Sequence, residues 1–192
     1  MRQIISRNEE AKRKKKNQFI VGGILVFLML SSILGYSFQS KVTGAVVEEG
    51  KKIAYDGLEF TEQSGFWLLN LKGVNLIFRY NPSQVEQNSL YLNKLDFYLE
   101  KPLYIYSENP LAESEVRNNL GSFVGAIQNA CPIEGKCEEN IPVKDCTENF
   151  IIIKEGENVG ITQEQNCVLI SGRGTDLVRK TDEFLFSVLE VV

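Results

Sequence analysis

Four cysteines, Cys131, Cys137, Cys146 and Cys167, are the residues of this chain best placed to do chemistry. Their spacing, C-x5-C-x8-C-x20-C, contains no C-x-x-C redox pair and no paired zinc-ribbon knuckles. An even cysteine count outside the cytoplasm reads as two disulfides. Of the three connectivities open to four cysteines, we expect Cys131–Cys137 and Cys146–Cys167. The first closes a short polar loop around Pro132, Gly135 and Lys136. The second closes a loop of about 20 residues, a constraint of about 3 kcal/mol in the chain-entropy model. It ties the start of one strand region to the start of the next.

The chain has no histidine, which removes imidazole acid–base catalysis, His-containing zinc sites and Ser-His-Asp machinery. A second candidate is the loop Ser171-Gly172-Arg173-Gly174-Thr175-Asp176, set between an apolar strand and a helix start. Backbone N–H groups of Gly172 and Gly174, with Arg173 and Thr175, are the parts of an anion-binding loop. The glycine spacing matches neither the dinucleotide fingerprint nor a Walker loop, and Asp176 adds a repelling carboxylate. A tight turn with a solvated Arg173 is the plainer reading. The acidic cluster Glu134, Glu138, Glu139 and Asp145 lacks the D-x-D-x-D-G pattern of a calcium loop and reads as solvated. Nine aromatics, Phe66, Trp67, Phe78, Tyr80, Tyr91, Phe97, Tyr98, Tyr104 and Tyr106, offer material for a glycan or peptide surface. Strand alternation turns about half of them into the core. Asn81-Pro82-Ser83 is blocked as a glycosylation acceptor by its proline. We therefore expect no catalytic residue, no cofactor and no metal, and a net charge of −4 argues against nucleic acid as a partner.

These candidates sit in a chain whose charge is segregated. Between Lys16 and Lys41 there is no charged residue, and residues 19–38 are almost wholly apolar. About 20 helical residues reach about 30 Å, the hydrocarbon thickness of a bilayer. A transmembrane helix is expected there. Residues 1–18 hold seven basic residues against Glu9 and Glu10, whereas residues 39–192 hold 14 Lys+Arg against 23 Asp+Glu. The basic tail stays cytoplasmic, so the long C-terminal part is expected outside. Gly35-Tyr36-Ser37 supplies a small-x-small cleavage site, but the apolar run exceeds the about 7–15 residues of a cleaved signal. A retained signal anchor is the expectation, with 39–52 as a stalk and 53–192 as the outer domain.

In the outer domain, Leu58-Glu-Phe60, Phe66–Asn70 and Val74–Tyr80 read as strands of a hairpin or three-stranded meander, punctuated by Ser64-Gly65 and Lys72-Gly73. Residues 84–101 are ambiguous. Leu103–Tyr106 reads as a strand. Asn109-Pro110 then supplies an N-cap and a first-turn proline. The helix it opens has an apolar stripe at Val116, Leu120, Phe123, Val124, Ile127 and Cys131, with Gly121 and Gly125 inside it. Phe150–Ile153 and Cys167–Ile170 are short apolar strands. A last helix starts at Thr175 or Asp176, with Leu177, Val178, Phe184, Leu185, Val188 and Leu189 on one face. Arg179, Lys180, Asp182, Glu183 and Glu190 are expected on the other. The fold class is α+β: an N-terminal transmembrane helix, then a two-layer mixed α/β sandwich with a β-meander followed by β-α-β-β-α.

The runs Tyr55–Phe60, Phe66-Trp67, Phe78–Val85, Lys101–Tyr106, Asn166–Gly172 and Thr181–Val191 together resemble uncharacterised single-span membrane proteins of small-genome archaea. Those proteins carry a cysteine-containing extracytoplasmic α/β domain, and the resemblance implies no activity and no site residue. The expected role is a membrane-anchored extracytoplasmic structural or interaction module. Its partners would be the lipid bilayer and an envelope protein or glycan. The alternative is an extracytoplasmic ligand-binding or redox-accessory domain.

Overall fold

Three dipeptides ending in glycine recur at eight-residue intervals: Asp56-Gly57, Ser64-Gly65 and Lys72-Gly73. In the computed structural model both residues of each pair have positive φ, from 46° at Asp56 to 88° at Gly73. That is the backbone of two-residue hairpin turns whose twist matches the flanking strands. Together they fold β1 (Lys52–Tyr55), β2 (Leu58–Gln63), β3 (Phe66–Leu71) and β4 (Val74–Phe78) into an antiparallel meander in chain order. The structure describes residues 50–86, 91–133, 135, 137 and 140–191. All of these lie in the compact unit Glu49–Val192. The expected tail 1–18, the expected span 19–38 and most of the expected stalk lie outside the described residues. Among the described residues no helix is long and apolar enough to cross a membrane.

The meander has four strands rather than two or three, because β1 begins at Lys52, within the expected stalk. A one-turn 3₁₀ helix at Pro82–Gln84 follows, capped by Asn81, and then the single turn α1 (Leu95–Tyr98). The remainder is a five-stranded mixed sheet. It contains β5 (Pro102–Ser107), β6 (Ala126–Asn129), β9 (Phe150–Glu155), β10 (Gly160–Glu164) and β11 (Cys167–Gly172), in the order β10-β11-β9-β5-β6. Only β10 runs antiparallel to its neighbour. A short parallel pair, β7 (Cys131–Pro132) with β8 (Val143–Lys144), stands apart. The helices are α2 (Pro110–Leu120) and α3 (Thr175–Val188).

Three expectations are corrected. The helix opened by Asn109 does not run to Cys131 but stops at Leu120. Beyond it the chain must pass residues 100–101 closely: Gly125 donates to the Lys101 carbonyl, and a Cβ at Gly125 would lie 2.5 Å from the Glu100 oxygen. Val124 and Ile127 owe their spacing to this turn and to β6, not to a helical stripe. β10 escapes a periodicity reading because it is a half-exposed edge strand of polar composition. The largest correction concerns α3. Most of its second face is not solvated: Lys180, Asp182 and Glu183 are buried, whereas Arg179 is half-buried and Glu190 exposed.

The reason is a third layer. The inner face of the mixed sheet (Leu103, Ile105, Ile151, Ile153, Val168 and Ile170) packs on the helices, as one layer of sheet on one layer of helix. The same cluster continues through the helices into the meander residues Phe60, Trp67, Leu69, Leu76 and Phe78. Phe186 on α3 is the joint, with its ring 6.0 Å from Phe60 and 4.6 Å from Phe78. α3 is thus covered on two sides.

The last meander strand borders the helices rather than another strand, so its outward backbone groups need side-chain partners. Asn119 on α2 supplies both at Ile77. Its Oδ1 accepts from Ile77 N at 2.8 Å, and its Nδ2 donates to Ile77 O at 2.7 Å. Two residues on, Asp182 Oδ2 accepts from Arg79 N at 3.1 Å and Tyr80 N at 2.8 Å. Replacing Asn119 by Leu leaves the part-buried Ile77 N–H and C=O without a side-chain partner. The expected loss is about 2–3 kcal/mol of unfolding free energy, read by urea denaturation.

Candidate functional site

The outer face of the mixed sheet has its own, smaller pattern. In register across the strands stand Tyr104, Phe150 and Cys167, and one step further on Tyr106, Ile152 and Leu169. Thr162 and Glu164 of β10 extend these two rows. Central parallel strands are apolar on both faces, which is why Phe150-Ile-Ile-Ile153 reads as a continuous run. Among the described residues no helix covers this side. Instead the segment 130–149 folds over one end, and Tyr104, Ala130, Phe150 and Cys167 form a satellite core beneath it.

Both cystines hold that segment. Cys131–Cys137 closes a small ring with Cα atoms 6.0 Å apart. Gly135 lies inside it, where a Cβ would sit 2.9 Å from Pro132 Cγ and 3.0 Å from the Cys131 sulfur. Cys146–Cys167 ties the segment to the first residue of β11, with Cα atoms 4.8 Å apart. Asn166 reinforces the tie: its N–H donates to the Cys146 carbonyl and its amide nitrogen to the Thr147 carbonyl.

Between the overhanging segment and the sheet runs an open groove of about 510 Å³. Phe150, Ile152 and Leu169 make its floor, Pro132 and Ile133 one wall, and the Cys146–Cys167 cystine one end. Ile133 is 68% exposed, Leu169 38% and the adjacent Val143 62%. The rim is charged: Lys144 and Asp145 on the overhang, Lys154 and Glu164 on the sheet. Lys144 Nζ lies 4.2 Å above the Tyr104 ring and 3.3 Å from Glu148, and Lys154 stands over Tyr106. The Tyr104 hydroxyl, helped by Glu148, raises the Lys144 pKa. Hydrogen bonds from the Thr147 hydroxyl and N–H lower that of Asp145. Both residues are thereby fixed in their charged forms at neutral pH, which suits binding and orientation rather than proton transfer.

The other sequence candidates do not converge on this groove. Gly172 ends β11, Gly174 has φ of 50° and Thr175 opens α3. Arg173 reaches Glu157 at 3.2 Å, and Asp176 in the first helical turn pairs with Arg179. The loop is a strand-to-helix turn with its cation directed at a neighbouring carboxylate. Glu134, Glu138 and Glu139 lie outside the described residues, and Asp145 joins the groove rim instead. Among the described residues no group of three or more acidic or cysteine side chains is arranged to hold a metal ion. Of the nine aromatics, Trp67, Phe78, Tyr98 and Tyr104 are buried, Tyr91 is fully exposed and the rest are half-buried.

A second cavity, of about 390 Å³, lies between the 3₁₀ turn and α3. Lys180 Nζ bridges Glu86 at 2.7 Å and Glu183 at 2.8 Å there. Burial raises the Glu183 pKa against the pull of Lys180. Sequence reasoning missed this cluster because a charged i, i+3 pair on a helix ordinarily marks the solvated face. Comparisons with family models, curated proteins and solved structures find no match to this chain.

With all four sulfurs paired, thiol reagent applied to the denatured, unreduced protein is expected to add no label. Replacing both Cys146 and Cys167 by Ser is expected to lower unfolding free energy by about 3 kcal/mol.

Proposed function

We propose that this protein is a membrane-tethered extracytoplasmic interaction module that presents the cystine-braced groove to a partner. Residues 19–38 are its single-pass signal anchor, the N-terminus is cytoplasmic and the acidic domain stands outside. Two disulfides favour that compartment, because cytosolic thiols are kept reduced. The observation that carries the reading is the exposed apolar strip Ile133–Leu169, held open by two cystines and rimmed by both signs of charge. Exposed apolar surface rimmed by polar groups marks recognition sites. The partner class that fits is an apolar or aromatic segment of an envelope protein, or the apolar face of a glycan.

The second reading is a ligand-binding domain. The groove volume lies within the about 300–1,000 Å³ of small-molecule sites, with an apolar floor and few polar groups. A redox-accessory role draws only on the Cys146–Cys167 cystine at the end of the groove.

A photoreactive side chain at position 169 in intact cells is expected to give crosslinked species that the same label at Leu111, exposed on α2, does not. Ile133→Glu is expected to abolish them. Identical patterns from both positions would overturn the interaction reading. A low-molecular-weight adduct at 169 alone would select the ligand-binding one. Protease added to intact cells is expected to digest the domain, and protection there with digestion after lysis would refute the topology.

A further inference from the structure

Two acids meet in the interior at the edge of the meander. Asp182 on α3 is wholly buried, and Glu115 on α2 is 5% exposed. Both flank Arg79, whose Nε lies 3.9 Å from Glu115 Oε1 and whose N–H donates to Asp182 Oδ2 at 3.1 Å. Asp182 Oδ2 is engaged by Arg79 N and Tyr80 N. Its Oδ1 and the Oε2 of Glu115 are buried with no hydrogen-bond partner among the described residues. Two carboxylates so placed cannot both ionise cheaply, and one proton between them turns two orphan acceptors into a donor and an acceptor.

The surrounding charges do not supply an alternative. Arg79, the residue after β4, is the facing cation, with Nε 3.9 Å from Glu115 Oε1. That Nε itself has no hydrogen-bond partner among the described residues. On α3, Arg179 stacks over Tyr80 and pairs with Asp176. Lys180 is held between Glu86 of the 3₁₀ segment and Glu183. One cation at long range therefore faces two acids.

We infer that Glu115 and Asp182 share one proton and act as a pH-gated clasp fastening the meander edge to the helical layer. With the proton in place, Asp182 keeps both backbone N–H groups and Glu115 holds Asp182. Loss of the proton sets two negative charges against each other in the interior. The relief is for Asp182 to withdraw, releasing Arg79 N and Tyr80 N. Burial pushes the Glu115 carboxyl up to about 7, and burial together with Glu115 raises Asp182 well above the usual range. Between the ordinary carboxylate range and about 7 the folded state holds more protons than the unfolded chain. Stability therefore falls as pH rises through that window, and is fully present below it. The expected loss in the folding equilibrium is about a hundredfold, at tenfold per pKa unit.

The test uses the full-length chain in detergent, with guanidinium denaturation from pH 4.5 to 8. Wild type is expected to lose stability across the range. Glu115→Gln gives Asp182 a permanent donor, so its profile is expected to be shallower than wild type and to lie above it at pH 8. Asp182→Asn is the second variant; it leaves Glu115 raised by burial and is expected to keep part of the slope. Hydrogen exchange, corrected for intrinsic rates, is expected to show Arg79 and Tyr80 losing protection at pH 8 in wild type but not in Glu115→Gln. An infrared carboxylic-acid band at pH 6, absent when Glu115 and Asp182 are both replaced by their amides, reports the proton directly. Wild-type stability that is flat or rises with pH would overturn the clasp. So would a Glu115→Gln slope equal to that of wild type.

Discussion

The outward backbone of β4 must be paired at an edge that the helices partly cover. Antiparallel strands alternate their hydrogen-bonding direction, so Ile77 and Arg79 aim their groups away from β3 while Phe78 between them serves the ladder. A solvent-facing edge would leave this to water. Here the helices occupy that side, and Asn119 and Asp182 replace a fifth strand. That substitution lets the meander dock, closes the core over Phe186 and buries a helix face that composition alone assigns to solvent. The cost is an acid in the interior, with Asp182 wholly buried. Asn119 also donates to the Glu115 carbonyl at 2.9 Å, so the two stitching residues belong to one polar network. Such networks stabilise when fully paired and are costly when one proton is lost.

The mixed sheet divides the remaining labour. Its inner face belongs to the main core, and its outer face carries a satellite core too small to hide Ile133, Val143 and Leu169. The described residues of the covering segment hold one two-residue parallel pair and two cystines. Disulfides substitute there for the apolar burial that a helix would have brought, and they leave the groove open instead of filling it. The charges at its rim are each engaged by a neighbour, Lys144 by Tyr104 and Glu148, Lys154 by Tyr106 and Asp145 by Thr147. They shape the rim without being poised for chemistry.

Sequence reading reached the elements with strong local signals. The x-Gly turns at 64–65 and 72–73, the Asn109-Pro110 helix start and the apolar strands at 150 and 167 all depend on residues within a few positions of each other. It failed where an apolar spacing had two explanations. Val124 and Ile127 fit a helical stripe, yet Gly121 and the close approach of Gly125 to residues 100–101 end the helix and start a strand. β10 was invisible because an edge strand with one neighbour needs no apolar pattern. Asp56-Gly57 makes the same turn as its two successors, and its eight-residue phase with them is the signal that would have extended the meander to four strands.

By itself, the sequence determined the segregation of charge, the uncharged run 19–38, the mixed α/β class and the absence of histidine chemistry. These follow from composition and from interactions between near neighbours in the chain. Only the tertiary structure decided that Lys180, Asp182 and Glu183 are interior, that Glu115 meets Asp182, and that the cystines frame a groove. Each of these joins residues from separate elements, Glu115 to Asp182 and Ile133 to Leu169. Whether a charged helix face meets water or a second sheet depends on what the rest of the chain packs against it.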